Sequence, residues 1–499
     1  MKRRAWQLSL SQLRWVTLIA PPVALVLLWF SPVVPRRAKI LGTIGVPLYF
    51  LLYLSAIVWG LDYFFEIKFY EWRGGYSPVL TFRPTKPDYL AVETHRRQAS
   101  HRDSSVTVTA GGVYWTGFRG PNRDGIYAEQ PIATNWATRP PALLWRQPIG
   151  GGYASFAVAK GVAYTIEQRR SQEVVVAYEL QTGRELWASG WEADFRESIG
   201  GDGPRATPTW HEDRIYAQGA AGELRCLDAA NGKLIWRHDI LKENRGTLLE
   251  YGCSASPLVI DELVITLPGG KPDASVVAYD RLNGATRWGF GHDRQAYVSP
   301  SLVTLAGEPQ ILIVAAKRTF GLTVKEGKPL WEFAWGEPLM GRNVGQPVVW
   351  NGNRFLLTAG YDVGSVALEV YREPDGFQVR ELWRNKYLKN KFSSSVFFGG
   401  HIYGLDEEIL TCLDANTGER RWKEGRYGYG QLVLAGGHLL ILCGDGDLAL
   451  VKAISDRHEE VARIPGIKGK TWNHPALADG KLLVRNLVEM ACFDLAAGK

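Results

Sequence analysis

The sequence predicts an all-β chain: an eight-bladed β-propeller of four-stranded antiparallel blades, closed by an N-terminal strand and preceded by two N-terminal transmembrane helices. Three observations carry this reading. A hairpin tail ending in Gly-x-x-x-Trp recurs along the chain, further β-rich runs precede each recurrence, and two uncharged stretches lie near the start. The bulk composition agrees. The 499 residues are 46% hydrophobic and 22% charged, as in folded proteins with a large core. The 19 Trp, 54 Gly and 26 Pro suit short strands joined by many turns.

The membrane end comes first. No charge falls between Arg14 and Arg36, nor between Lys39 and Asp62, so apolar segments of about 15–35 and 40–61 approach the roughly 20 residues that cross a bilayer. Trp15, Trp29, Tyr53 and Trp59 sit near their ends, where amphipathic rings prefer the headgroup level. Residues 1–61 therefore read as a membrane anchor. With two spans, Lys2, Arg3, Arg4 and Arg14 outnumber Arg36, Arg37 and Lys39, which places the body in the cytoplasm. Pro21-Pro22 weakens the first span, however. If residues 40–61 alone cross, the Arg36/Arg37/Lys39 cluster stays inside and the body lies outside. A third reading makes the basic start and first apolar run a signal, although no clean small-x-small cleavage site follows it. The expected location is a bacterial cytoplasmic membrane with the propeller in the periplasm.

Residues 62–141 form a connector with polar runs such as ETHRRQASHRDSS (93–105), and its GFRGPNRDG segment (117–125) is expected to dock on the propeller at 142–499. The repeat tails there read YELQTGRELW (178–187), CLDAANGKLIW (226–236), AYDRLNGATRW (278–288), TVKEGKPLW (323–331) and CLDANTGERRW (412–422). In each, Gly precedes Trp by four residues: Gly183/Trp187, Gly232/Trp236, Gly284/Trp288, Gly327/Trp331 and Gly418/Trp422. A sixth copy ends at Trp383 after a longer turn around Pro374-Asp375-Gly376. The tail is a hairpin, with an Asx-rich turn, a Gly where φ must be positive, and a strand closing on Trp. Upstream stretches such as TPTWHEDRIYAQGAAGELRCLD (207–228) supply another strand pair, giving four strands about every 40 to 50 residues, the mark of a propeller blade. No long helical-period segment separates the strands, which sets aside a βαβ fold.

Counting inner strands from Tyr153, Arg205, Ser254, Tyr297, Val344, Phe392, Gly428 and Trp472 gives eight blades. The seventh lacks its Trp, since ISDRHEEVARI (454–464) stands in its place. The last unit runs out at FDLAAGK (493–499), before any Trp-bearing strand, whereas Leu143–Trp145 has strand and Trp but no blade of its own. Pairing the two closes the ring and leaves no open sheet edge. Trp145, Trp187, Trp236, Trp288, Trp331, Trp383 and Trp422 are then blade-packing residues.

These D-x-x-T/N-G-x-x-x-W tails resemble the tryptophan-docking repeats of pyrroloquinoline quinone (PQQ)-type propellers, over roughly residues 142–499. The resemblance implies an eight-bladed ring and two functional branches: quinoprotein dehydrogenases, and the non-catalytic scaffold lipoprotein of the outer-membrane β-barrel assembly machinery. GFRGPNRDGIY (117–127), LLWRQPIGGGY (143–153) and GPRATPTW (203–210) are further similar to bacterial membrane-attached PQQ-like repeat proteins. In the dehydrogenase branch, the resemblance implies a quinone near the axis on a Trp, beside a vicinal Cys–Cys disulfide, with calcium and an Asp base. Here no Cys-Cys dipeptide occurs, and Asp202, Arg205, Asn343 and Trp472 are the axis-side candidates without a carboxylate cluster. Fold does not carry chemistry with it.

Other chemistry has little support in the sequence. Cys226, Cys253, Cys412, Cys443 and Cys492 are scattered and odd in number, and they read as small buried hydrophobes rather than a disulfide framework or zinc site. CGDGDLAL (443–450) reads as a hairpin turn rather than a calcium loop, because no downstream Glu completes it. There is no H-E-x-x-H and no G-x-S-x-G. A net charge of +7 spread along the chain makes no nucleic-acid patch.

The remaining candidate is a ligand-binding funnel on the axis: Tyr153, Arg205, Tyr297, Arg342, Asn343, Lys391, Phe392, Tyr429, Trp472 and His474. Arg forks and rigid aromatic rings suit an anionic or extended polar ligand, while the same residues also suit simple plugging of the channel. The expectation is a scaffold with protein partners, no catalytic residue, no metal and no cofactor. The alternative is a PQQ-dependent dehydrogenase or quinone-binding sensor with PQQ and calcium in the funnel.

Overall fold

The structure, a computed structural model, describes residues 13, 15–17, 21–32, 34–65, 70–75, 77–81, 85–100, 111–337 and 340–496. Lys2, Arg3, Arg4 and Arg14, used above for orientation, and residues 101–105 of the polar run lie outside them. The chain divides into two compact units, Met1–Pro84 and Thr85–Lys499.

In the first unit, the helix Arg36–Phe65 is long and apolar enough over Arg36–Leu61 to cross a membrane, and it begins at the basic cluster. Among the described residues it is the one helix that meets this length and hydropathy, so one candidate span is shown where the sequence reading expects two. In the described part of the earlier apolar run, residues 15–17 are helical and Pro21–Phe30 is a helix. Ser31-Pro32 ends it, because a proline pushes its predecessor out of the α region and cannot itself continue the helix. The chain then turns back on itself. Leu28 packs with Val34, Lys39 Nζ donates to the Trp29 carbonyl at 3.0 Å, and Trp29 Nε1 donates to Thr43 Oγ1 at 3.0 Å.

In the second unit, seven four-stranded sheets and one five-stranded sheet follow as eight blades. Their inner strands are Ala157–Ala159, Thr209–His211, Leu258–Ile260, Ser301–Leu305, Val348–Trp350, Val396–Phe398, Gln431–Ala435 and Ala476–Ala478, each starting three or four residues after the position expected from sequence. Strand alternation builds the core between blades. Ile215 and Ala217 of blade 2 pack with Val175 and Ala177 of blade 1, while Tyr216 and Leu224 face Val264 and Val277 of blade 3. The ring closes as the sequence implies: the strand Ala142–Pro148 completes blade 8, with Trp145 opposite Cys492 and Leu143 opposite Phe493.

The Gly-x-x-x-Trp spacing has a physical cause in the packing of neighbouring blades. Each turn glycine holds a positive φ, and a Cβ there would strike the Trp of the preceding blade. At Gly183 (φ +71°) the Trp145 ring lies 2.8 Å from that point, and at Gly232 (φ +71°) the Trp187 ring lies 2.5 Å from it. The indoles then donate to carbonyls of the next blade: Trp145 to Leu180, Trp187 to Ala229, Trp236 to Arg281, Trp383 to Ala415 and Trp422 to Ile454, all within 3.1 Å. Trp331 differs. Blade 5 answers it with the long hairpin Gly364–Glu373/Gly376–Asn385 rather than a turn glycine, and its indole bonds Gln310 Oε1 at 2.6 Å.

All five cysteines are buried free thiols. The CGDGDLAL segment is a tight hairpin, closed by Cys443 N to Asp447 O at 2.8 Å.

One element was not visible in the sequence. Tyr89–Ser100 is a helix capped by Asp88, whose Oδ1 accepts from Ala91 N at 2.9 Å. Ion pairs hold it to blade 1, Arg96 to Glu185 and Arg170 to Glu93, both at 2.5 Å.

Candidate functional site

Around the axis, the residue two places before each inner strand links neighbouring blades through its side chain. Ser155 N donates to Thr207 Oγ1, Thr207 N to Ser256 Oγ, Ser256 N to Ser299 Oγ, Ser299 N to Gln346 Oε1 and Gln346 N to Ser394 Oγ, all at 2.8–3.0 Å. The belt changes character at blades 6 to 8. There Gln431 Nε2 spans the gap to the carbonyls of Phe392 and Trp472 at 2.9 and 3.0 Å, and Ser155 Oγ returns to the His474 carbonyl at 2.6 Å. A proline often follows the belt residue, as at Pro208, Pro257, Pro300, Pro347 and Pro475. It keeps the belt residue extended and removes one N–H from the crowded axis.

The segment expected to dock on the propeller fills the middle of this belt. It enters where the inner strands finish. Lys160 N bonds Gly112 O, Val158 N bonds Trp115 O, Trp210 N bonds Thr116 O, and Ile126–Tyr127 pairs in parallel with Leu434–Ala435. Arg119 and Arg123, both buried and both with positive φ, point inward. Arg119 Nη2 donates to the carbonyls of Asp124 and Ser395 at 2.9 and 2.8 Å. Its Nη1 lies 3.3 Å from His474 Nε2. Because arginine only donates, His474 accepts through Nε2 and carries its proton on Nδ1. Burial, reinforced by the Arg119 charge, holds His474 well below the ordinary histidine range, so it is neutral. It is a structural partner of the plug.

The other end of the channel, where the inner strands begin, is an aromatic mouth. Trp472 stacks on Tyr153 at 5.5 Å and meets Phe392 at 4.7 Å, Phe392 meets Tyr429 at 5.5 Å, and Tyr251 meets Tyr297 at 5.8 Å. Cations are interleaved between the rings. Arg205 lies 5.5 Å over Tyr153, Arg342 5.3 Å over Tyr361, Lys470 4.5 Å over Trp472, and Lys391 5.2 Å from both Tyr361 and Tyr429. Burial pushes the Tyr251, Tyr297 and Tyr361 hydroxyls up to about 12 and pulls Arg205 and Lys391 below their ordinary values.

The structure thus gathers Tyr153, Arg205, Tyr297, Arg342, Lys391, Phe392, Tyr429 and Trp472 into one rim. Asn343 turns inward instead, holding the carbonyls of Ala315 and Ala316 at 2.8 and 3.2 Å. Sequence reasoning missed Tyr251, Tyr361 and Lys470, which sit on loops outside the counted positions, and it missed the carboxylates. Arg342 pairs with Glu250 at 2.9 Å, Arg205 lies 3.8 Å from Glu197, and Tyr429 donates to Glu407 at 2.9 Å. Arg205 also braces the carbonyls of Gly201 and Gly203, and Lys470 those of Ile199 and Gly200. The rim is therefore aromatic with balanced charge, and its cations hold loops.

This geometry defines an eight-bladed propeller of PQQ-type repeats with a plugged axis and an aromatic mouth. A family model described as outer membrane protein assembly factor BamB matches residues 170–424, more than half of the 499 residues, and the chain belongs to that family. Among solved structures, BamB from Moraxella catarrhalis is similar with a TM-score of 0.50 at 16% identity, covering 72% of this chain and 99% of that one. A quinohemoprotein alcohol dehydrogenase from Pseudomonas putida HK5 is similar with a TM-score of 0.51 at 11% identity, covering 79% and 84%. At such identities the likeness shows the fold. No curated protein matches the chain by sequence.

Proposed function

We propose that this chain is a non-catalytic binding scaffold, held in a bacterial cytoplasmic membrane by the helix Arg36–Leu61, with its propeller in the periplasm and its mouth as the recognition face. The aromatic rim carries the reading. Rigid rings with both signs of charge between them suit an extended polypeptide, offering apolar contact to side chains and polar partners to the backbone. Membership of a family described as an assembly factor for outer-membrane protein supports a protein partner. The axis chemistry speaks against a quinone with calcium. The centre holds the guanidiniums of Arg119 and Arg123 where that pair needs carboxylates and open space.

The test is crosslinking in cells followed by partner identification, comparing wild type with Trp472→Ala and Phe392→Ala. The expected result is a defined partner retained by wild type and lost from both variants at unchanged circular dichroism. An unchanged partner profile in both variants overturns the recognition face. Calcium-dependent dye reduction by purified protein with added PQQ overturns the non-catalytic reading. Protease digestion of spheroplasts is expected to cut the propeller, and protection there overturns the periplasmic placement.

A further inference from the structure

Arg123 is 5% exposed, and its hydrogen-bond partners are all uncharged. Nη1 donates to the carbonyls of Ser256 and Pro300, both at 2.9 Å, and Nη2 to the carbonyl of Pro257 at 2.5 Å and to Thr209 Oγ1 at 3.4 Å. Burial pulls its pKa down to about 9 with no opposing carboxylate, in contrast to Arg354 and Arg380, which share Glu369. A guanidinium without a counter-ion is tolerated only where several dipoles already converge on it.

They converge here because of topology. The innermost strand of each blade presents its unpaired edge to the axis, so carbonyls at its start have no ladder partner. Blades 2, 3 and 4 contribute Thr209, Ser256/Pro257 and Pro300. The result is a fan of three carbonyls and a hydroxyl around one point. Its chemistry selects the occupant. A divalent cation asks for six or more oxygens with carboxylates among them, and an ammonium offers three donors in a tetrahedral cone. A planar guanidinium offers a fork of N–H groups that matches a fan of acceptors.

We infer that the propeller centre is a receptor for a planar cation of the guanidinium class, assembled by the blades themselves, and that the 111–127 arm occupies it as a tethered ligand. The arm's ladder contacts are short: it pairs over two residues, Ile126 and Tyr127, bridges Val113 to Ala159, and adds single bonds such as Val158 N to Trp115 O, while its side chains Trp115, Arg119 and Tyr127 are buried. The arm thus adds only the two-residue strand Ile126–Tyr127 to the edge of blade 7, its 117–125 turn belongs to no blade, and an arginine-bearing turn from elsewhere would find the same acceptors.

Thermal unfolding of the full-length protein in detergent tests this, with Arg123→Ala, Arg123→Lys and wild type each melted alone, with methylguanidinium and with an equal concentration of methylammonium. The expected result is a Tm several degrees lower for Arg123→Ala, partly restored by methylguanidinium alone, with wild type unmoved and Arg123→Lys still deficient. If Arg123→Ala does not fold unaided, recovery of folded protein on refolding with methylguanidinium, and not with methylammonium, reads the same property. Equal rescue by both ions, no rescue by either, or wild-type stability in Arg123→Lys overturns the inference.

Discussion

Glu173 makes the stability of this propeller depend on pH across the neutral range. It lies fully buried on the third strand of blade 1, with Oε1 accepting from Ala220 N of blade 2 at 2.8 Å. Burial pushes its carboxyl from 4.5 up to about 7, against the lowering effects of the Ala220 N–H and the Trp191 indole. The native state therefore holds this proton more tightly than the unfolded chain does. Its contribution is fully present below about pH 4.5 and is lost as pH rises through about 7. A displacement of that size, at about 1.4 kcal/mol per pH unit, amounts to about 3 kcal/mol. Glu173→Gln keeps an oxygen for Ala220 N and removes the titration. Urea unfolding followed by Trp fluorescence at intervals from pH 5 to 8 should show wild type losing stability relative to Glu173→Gln as pH rises, so that the variant is the more stable protein at pH 8. Parallel profiles for the two proteins across that range would show that Glu173 does not titrate there.

Three further outcomes follow from the ring. Trp145→Ala removes both the ring against Gly183 and the bond to the Leu180 carbonyl, and it should cost about 2–3 kcal/mol and expose the 142–148 strand to limited proteolysis before other blades open. Gly183→Ala should destabilise more than Gly307→Ala in thermal melts. Both hold positive φ, at +71° and +78°, which costs about 1–2 kcal/mol, but only Gly183 has a Trp ring at 2.8 Å while Gly307 faces open space. Arg485→Met should cost about 3 kcal/mol in urea unfolding, because its guanidinium joins blade 8 to Thr165, Ile166, Gly150 and Gly152 of the blade 1 side, and removal takes a buried donor from each of them while Gly152 keeps only its bond from Asn473.

The ring was legible because its determinants are local. A Gly four residues before a Trp encodes a turn and a docking ring together, and five copies of that spacing fix the period without any knowledge of the partner surface. Closure was legible for the same reason, since Trp145 announces a strand that no adjacent turn claims. The belt left a trace that the repeat analysis passed over. Thr207-Pro208, Ser256-Pro257, Ser299-Pro300, Gln346-Pro347 and His474-Pro475 each stand immediately before an inner strand. The helix Tyr89–Ser100 left almost none. Val92 is its buried apolar residue while Leu90 is exposed, and it is held by ion pairs to Glu185 and Arg170 that lie far away in sequence. The end of the first apolar run was less legible, because hydropathy alone does not register that Ser31-Pro32 ends the helix at Phe30.

The axis was least legible because its central bonds run from side chains to backbone carbonyls, and every residue has a carbonyl. Nothing in the string RGPNR distinguishes an exposed turn from one whose arginines reach five blades, Arg123 to blades 2, 3 and 4 and Arg119 to blades 6 and 8. That reach also decides how the mouth can act. With guanidiniums and the Phe118 ring filling the middle of the channel, a segment entering from the Trp472 side meets a closed floor and cannot thread through. Under the proposed recognition at the rim, burial of a few apolar side chains among Tyr153, Phe392 and Trp472 would supply the driving force and the charges of Arg342/Glu250 and Lys391/Glu407 would set direction. Salt should therefore weaken partner binding only modestly, because Arg342 is already paired with Glu250 and Lys391 lies in the field of Glu407. A steep loss of the crosslinked partner with rising ionic strength would instead place recognition on unpaired charge elsewhere on the propeller.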